Sequence, residues 1–157
     1  MTQHPRRTFL KNSLAIAVLI AVGGTGLLHQ TRALAAEWPK DAFTAKKVED
    51  AVQALFGSGA MSPSTSIKLK APTQAENSAQ VQIQVSAEMP NVEAIAVFVE
   101  KNPSPLVAHA SFSGAEGYFS ARMKMAQTSD VVAVVKSGGK LYTARQNIKV
   151  TAGGCGG

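Results

Sequence analysis

The segment Val81-Gln82-Ile83-Gln84-Val85-Ser86 alternates apolar and polar side chains without a break. Successive side chains of a β-strand point to opposite faces, so this period of two predicts a strand with one buried and one exposed face. Ile67 and Leu69 alternate with lysines in the same way. Both segments are therefore predicted to be half-exposed strands, which build sheets with one face on a core.

Two further stretches, residues 93–99 and 131–135, are almost wholly apolar, which predicts strands buried on both faces. Weaker strand candidates cover residues 106–112, 118–125, 140–144 and 146–151. Turn signals separate the strands, at Met89-Pro90-Asn91, Asn102-Pro103-Ser104-Pro105, Ser113-Gly114 and Ser137-Gly138-Gly139. Seven or so short strands at this spacing predict an all-β fold, an immunoglobulin-like antiparallel β-sandwich.

Residues 41–56, which precede the strands, follow a helical period. Apolar side chains recur about every 3.6 residues with charged residues between them, and Gly57 suits the end of a helix. These apolar positions are Phe43, Val48, Val52, Leu55 and Phe56. The pattern predicts one amphipathic helix, which either packs on the sandwich or docks on a partner.

Residues 1–35 have the layout of a cleaved targeting segment, with a basic start, an apolar stretch and small residues at Ala33 and Ala35. The run from Arg6 and Arg7 to Lys11 resembles the twin-arginine signal, which exports folded proteins to the periplasm. Its apolar part falls short of the roughly 20 residues that span a membrane, so no membrane attachment is expected after cleavage. The predicted plan is a signal peptide at 1–35, a sandwich domain at 36–151 and an arm at 152–157.

The charge balance excludes a nucleic-acid role. The formal charge is +6, but residues 1–36 hold four of the 16 basic residues and none of the acidic ones, which leaves 12 basic and 10 acidic residues. No clustered basic footprint remains on the folded domain. Outside the leader His109 is the single histidine and Cys155 the single cysteine, too few for a zinc site of about four ligands. We expect no metal and no bound cofactor.

The chain ends with one cysteine between glycines: Gly153, Gly154, Cys155, Gly156 and Gly157. Glycine lacks a Cβ, so such an arm packs poorly and is costly to order. From Thr151 the arm reaches about 14 Å to Cys155 at roughly 3.5 Å per residue. A thiol on this swinging arm can leave its own domain and enter a pocket on another protein, which predicts a carrier thiol rather than a catalytic one.

Two other functions stay open for this chain, that of a thiol redox protein and that of a structural module. A one-cysteine periplasmic thiol redox protein needs groups that position and activate the sulfur, and a glycine arm positions nothing. His109 would be the base for such chemistry, although Val107-Ala108-His109-Ala110 is typical of an ordinary strand. A structural sandwich module would leave the tail without a purpose. No catalytic residues are predicted.

The tail and several internal stretches resemble the SoxY family of the periplasmic thiosulfate-oxidising (Sox) system. The matching segments are Met89–Ala96, Phe98–Pro103, Met123–Val131 and Gly153–Gly157. The resemblance implies a sandwich in a heterodimer with a SoxZ-like subunit, with sulfur intermediates carried as covalent adducts on Cys155. It also implies three enzymes that act on the adduct: a SoxAX-like c-type cytochrome, a SoxB-like hydrolase and, in systems that contain it, a SoxCD-like sulfur dehydrogenase.

Overall fold

The computed structural model of the chain describes residues 39–151, which form one compact unit. Two short helices come first, α1 (Lys40–Thr44) and α2 (Val48–Phe56). The strands follow in the order β1 (Met61–Pro63), β2 (Ile67–Lys70), β3 (Gln74–Ala75), β4 (Val81–Ala87), β5 (Val92–Val99), β6 (Leu106–Ser111), β7 (Gly117–Met123), β8 (Ser129–Ser137) and β9 (Lys140–Val150). Neither described helix is long and apolar enough to cross a membrane.

The strands form two sheets. The larger has the order β1-β9-β8-β5-β6, with β3 also paired to β9, and the smaller has the order β2-β4-β7. Except for β1 and β3, which run parallel to β9, every pairing is antiparallel. The chain changes sheets at every connection except those between β5 and β6 and between β8 and β9. The predicted immunoglobulin-like β-sandwich is confirmed.

The two wholly apolar runs occupy the centre of the larger sheet, as β5 and β8. One face of each strand packs against the smaller sheet, for example through Ile95 and Val97. The opposite face packs under the helices through Ala96, Phe98 and Val132, all fully buried. These strands lack the polar alternation of Val81–Ala87 because both of their faces are covered, which confirms the prediction from their composition.

The helix predicted over residues 41–56 is wrong in its continuity, because the chain is extended at Ala45 and Lys47 between α1 and α2. At about 100° per residue, one continuous helix would point Ala42 roughly 120° away from the face that buries Val48, Ala51 and Val52. The break turns α1 so that all four side chains are buried. Both helices pack on the sandwich, and α2 ends at Gly57 in the left-handed conformation, as predicted.

The connection between β8 and β9 is the two-residue turn Gly138-Gly139, with φ values of 55° and 72°. Two positive φ angles in succession give the turn whose twist matches that of a β-hairpin, and glycine adopts them without strain. Beyond this turn β9 runs as one strand of 11 residues, where the sequence predicted two segments. The long strand carries the chain from the hairpin turn to the opposite end of the sandwich.

Candidate functional site

The residues predicted for function lie outside the described part of the chain. Cys155 with Gly153, Gly154, Gly156 and Gly157 follows the last described residue, and Arg6 with Arg7 precedes the first. What the structure does describe is the attachment of the predicted arm, from β9 to Thr151.

The last residues of β9 continue beyond the end of its neighbour β8. Backbone pairing between the two strands stops at Ser129 and Ile148. One residue earlier in the chain than Ser129, the hydroxyl of Thr128 accepts a hydrogen bond from the Val150 N–H at 3.0 Å and makes a longer contact of 3.5 Å to the Val150 carbonyl oxygen. A side chain thus takes the place of the next pair of backbone groups in the ladder.

On its other edge the end of β9 is held by β3 and the residue before it. The Lys149 N–H donates to the Thr73 carbonyl at 3.0 Å, and the Thr151 N–H donates to the Ala75 carbonyl at 3.1 Å. The Thr151 hydroxyl also donates to the Ala75 carbonyl, at 3.3 Å. Backbone groups of consecutive residues point to opposite sides of a strand. Lys149 and Thr151 are therefore hydrogen-bonded on the β3 side of the strand, and Val150 between them is hydrogen-bonded on the β8 side.

The loop that carries Thr128 is fixed in its own right. The Asn102 side-chain amide donates to the Lys124 carbonyl and accepts from the Ala126 N–H, both at 2.8 Å. Between these two bonds Met125 is 1% exposed in the core, and its N–H donates to the Ser78 carbonyl at 2.8 Å. We call Thr73–Ala75, Thr128 and Lys149–Thr151 the root clamp, since they hold the chain where the arm begins.

The root clamp lies far from the hairpin turn of β9. Eleven steps of about 3.3 Å separate Lys140 from Thr151, a distance of about 36 Å. At the hairpin end Glu93 accepts from the Gly139 N–H at 2.7 Å and pairs with Lys136 at 3.0 Å. That hydrogen bond, followed by the one from Lys136, holds the pKa of Glu93 below its ordinary value of 4.5. This charged cluster is out of reach of an arm of about 14 Å.

His109 lies on β6 at the edge of the larger sheet, half-buried, with its ring edge-on to Phe56 at 6.0 Å. Burial lowers its pKa from the ordinary 6.5. The strand register joins His109 to Ala96, Val134 and Thr143 in turn.

The three spacings between neighbouring strands from His109 to Thr143 add up to about 14 Å. Along β9, Thr143 lies about 26 Å before Thr151. The two displacements are roughly perpendicular, so about 30 Å separates His109 from Thr151, twice the reach of the arm. His109 cannot act as a base on Cys155 of the same chain.

Among residues 39–151 the structure shows no group of three His, Cys, Asp or Glu side chains placed to hold a metal ion. Two ion pairs are present there, Lys136 with Glu93 and Arg145 with Glu100, and both are partly exposed.

The chain matches a known protein family. The model of the family described as sulfur oxidation protein SoxY matches residues 52–155, from α2 to the cysteine of the tail. This chain belongs to the SoxY family. The match spans about two thirds of the chain and includes the root clamp.

A solved SoxY structure supports the same assignment. The sulfur carrier protein SoxY from Chlorobium limicola f thiosulfatophilum is 42% identical, with a TM-score of 0.62 over 67% of this chain and 96% of that chain. A superoxide reductase (neelaredoxin) from Ignicoccus hospitalis is 19% identical, with a TM-score of 0.49 over 55% of this chain and 80% of that one. No curated protein matches the chain.

Sequence reasoning missed the root clamp. β3 has two residues, too few to show a period, and Thr128 and Asn102 stand in segments that the sequence indicates as loop or turn. The spacing of polar residues carries no signal that the Thr128 hydroxyl bonds Val150, 22 positions later. In this SoxY-family chain the elements that hold the end of β9 become visible only in three dimensions.

Proposed function

We propose that this chain is the sulfur-substrate carrier of a periplasmic thiosulfate-oxidising system, with Cys155 as the covalent attachment point. The observation that carries the proposal is the SoxY family match, which runs through the end of β9 to Cys155. The fold supports it, because β9 delivers the chain to one end of the sandwich, where the glycine-flanked cysteine follows within five residues of Val150.

Each proposed step on Cys155 is carried out by a partner enzyme. A SoxAX-like c-type cytochrome joins thiosulfate to the thiol; an S–S bond forms, a proton leaves, and two electrons pass to the haem enzyme. The product is a cysteine S-thiosulfonate. A SoxB-like hydrolase then adds water, releases sulfate and leaves a persulfide on Cys155. Where a SoxCD-like sulfur dehydrogenase is present, it oxidises the outer sulfur of the persulfide to a sulfonate, with the oxygen atoms taken from water and the electrons passed to the dehydrogenase. The carrier itself supplies no catalytic residue and no cofactor.

We further propose a stable heterodimer with a SoxZ-like subunit, and export by the twin-arginine pathway through Arg6 and Arg7. A partner bound before export is consistent with a route that moves folded proteins. Neither nucleic acid nor membrane is among the proposed partners once the signal peptide is removed. Co-expression with the SoxZ-like subunit is expected to give one complex in gel filtration. A chain that elutes alone beside its partner would contradict the heterodimer.

The alternative of a one-cysteine thiol redox protein is disfavoured by the position of His109. About 30 Å separates His109 from the start of the arm, so the imidazole cannot activate Cys155 within one chain. A carrier needs no such neighbour because its thiol reacts inside the pocket of another protein.

Intact mass spectrometry tests the proposed function directly. The exported chain is incubated with thiosulfate and the SoxAX-like enzyme, and we expect a mass increase of one thiosulfate group, which SoxB-like hydrolysis then reduces to one extra sulfur atom. Cys155→Ser is the control and stays unmodified, because the chain has no other cysteine. An unmodified parent chain in the presence of active SoxAX-like enzyme would contradict the carrier function.

A further inference from the structure

We infer that Thr128 is a positioning residue for the carrier cysteine, because its hydroxyl holds Val150 and so fixes the point from which the arm swings. This inference rests on the proposed carrier function of Cys155. It assigns to the loop between β7 and β8 a role in setting the length of the arm.

A strand that runs past its neighbour normally frays, since its backbone groups on that side have no partner. Here β8 begins only at Ser129, which pairs with Ile148 of β9. The backbone N–H and C=O of Val150, two residues further along β9, would therefore have no partner on the β8 side. The Thr128 hydroxyl accepts from the Val150 N–H at 3.0 Å and lies 3.5 Å from its carbonyl oxygen. A hydroxyl has one donor and two acceptor positions, so it can serve both groups.

The opposite side of the strand is bonded to Thr73 and Ala75, which makes the hold two-sided. Ala75 is 6% exposed, so its carbonyl belongs to a packed segment rather than to a loose loop. The hydrogen bonds from Lys149 and Thr151 alternate with that from Val150. Because consecutive residues are tied to different neighbours, releasing the end of β9 requires both sides to open.

Thr128 can only position the strand if its own loop is fixed, and the structure shows how it is. Asn102 makes two hydrogen bonds to the backbone of Lys124 and Ala126, in the manner of a neighbouring strand. Met125 is anchored in the core between them. Asn102 therefore supports the root clamp from outside it, by fixing the loop that carries Thr128.

The consequence for the carrier is a short tether. With Thr151 held, four residues lead to Cys155, and its Cα stays within about 14 Å of Thr151. If the clamp opens back to Lys149, six residues are free and the reach rises to about 21 Å. A longer flexible tether lowers the effective concentration of its end, here by about twofold, since that concentration falls roughly as the −3/2 power of length.

A spin label on Cys155 tests the inference, since the chain has no other cysteine to be labelled. The ¹⁵N-labelled chain carries Thr128→Val, which keeps the shape and removes the hydroxyl, or Thr128→Ser, which keeps the hydroxyl. Thr65→Val on an exposed turn is the matched control. The readouts are attenuation of backbone amide signals by the label, and hydrogen exchange at Val150.

In the parent, attenuation is expected around the root clamp and Asn102 and absent at Gly138 and Gly139. With Thr128→Val it spreads further along β9, and exchange at Val150 rises about fivefold, the effect of one hydrogen bond. Thr128→Ser and Thr65→Val keep the parent pattern. An unchanged Thr128→Val map, or a Thr128→Ser map that spreads equally, would overturn the inference.

Asn102→Ala provides a second variant if Thr128→Val unfolds the chain. It removes two bonds that hold the loop and leaves Thr128 in place, so a smaller spread of the same kind is expected, and an unchanged map counts against the clamp. The mass assay separates the two proposals. Normal loading of Cys155 with identical maps in all variants refutes the clamp alone, whereas altered maps without any loading of the parent refute the carrier function alone.

Discussion

Phe98 and Tyr118 are two aromatic side chains at opposite extremes of exposure, 0% and 53%. Phe98 fills the layer between the larger sheet and the helices, so Phe98→Ala leaves a cavity that costs about 3–5 kcal/mol of the free energy of unfolding. Tyr118→Ala is the matched control, expected to cost well under about 1 kcal/mol as an exposed substitution. Denaturant titration of both variants measures the difference; equal losses would show that the helix layer contributes nothing to stability.

His109 makes the stability of the domain depend on pH. Burial lowers its pKa in the folded chain below the 6.5 of an unfolded one, so the unfolded state takes up the proton first as the pH falls. The free energy of unfolding therefore has its full value above about pH 6.5, and it decreases as the pH falls from there to the pKa of His109 in the folded chain. The pKa of Glu93 is lowered from 4.5, so its stabilising contribution is present above about pH 4.5 and is lost as the pH falls below that value.

Replacing His109 by Gln is expected to remove this slope. Unfolding titrations at pH 7.5 and 5.5 should show a loss of stability on acidification in the parent and a smaller one in His109→Gln. His109 is the only histidine outside the leader segment, so the difference belongs to one side chain. Parallel profiles for the two chains would show that burial does not shift this pKa.

At the scale of elements, the sequence predicted the strands whose patterns are long enough to show a period. Val81–Ala87 was recognisable from alternation and β5 and β8 from continuous apolar character, because burial on one or two faces selects side chains directly. The strands β1 and β3, with three and two residues, were not predicted. Their pairing with β9 depends on backbone hydrogen bonds, which leave no side-chain pattern.

The candidate site likewise has parts that a local sequence pattern predicts and parts that depend on distant contacts. Cys155 and its glycines were predicted from composition alone, because a cysteine among glycines has no structural use in a core. The break between α1 and α2 was not predicted, since the apolar period continues through it and the burial of Ala42 is visible only in the structure. Thr128 and Asn102 were missed because their partners are distant in sequence.

The arm and the sandwich are expected to be energetically separate elements. Deleting residues 153–157 leaves β9 and the root clamp intact, so the thermal midpoint should stay within a few degrees of the parent. Thiosulfate-dependent respiration should be lost completely. Differential scanning calorimetry and growth on thiosulfate measure the two effects.

The matched control for this deletion removes residues 149–157. It takes away the hydrogen bonds from β9 to Thr73, Ala75 and Thr128, so a clear drop in the thermal midpoint is expected. If the shorter deletion destabilises the domain as much as the longer one, the tail is packed on the sandwich and the swinging-arm mechanism fails.

For the whole molecule, export is expected to depend on the arginine pair of the leader. Replacing Arg6 and Arg7 together by Lys keeps the charge and removes the two guanidinium groups, which Lys does not imitate. The double variant is expected to accumulate in the cytoplasm with its leader attached, as measured by fractionation and mass. Arg32→Lys, later in the leader, is the control and should be exported normally. Normal export of the double variant would contradict the twin-arginine pathway.

Two copies of the molecule are expected to cross-link through Cys155 on oxidation. A disulfide requires Cα atoms within about 7 Å and suitably directed Cβ atoms, which rigid surface cysteines of two identical chains rarely achieve. Two glycine-flanked arms can meet this geometry without strain, since each reaches about 14 Å from Thr151. Purified chain without reductant should therefore accumulate a homodimer linked through Cys155, alongside persulfide-type adducts.

Non-reducing gels with intact mass spectrometry follow this oxidation. Dithiothreitol should return the chain to one reduced species, and Cys155→Ser should never form the covalent dimer. Alkylation of Cys155 under native conditions should be fast for the same reason. A thiol that stays reduced through prolonged air oxidation and alkylates slowly is buried, and loading by partner enzymes would then require the arm to be released first. In that case the root clamp would not be the last contact of the chain with its domain.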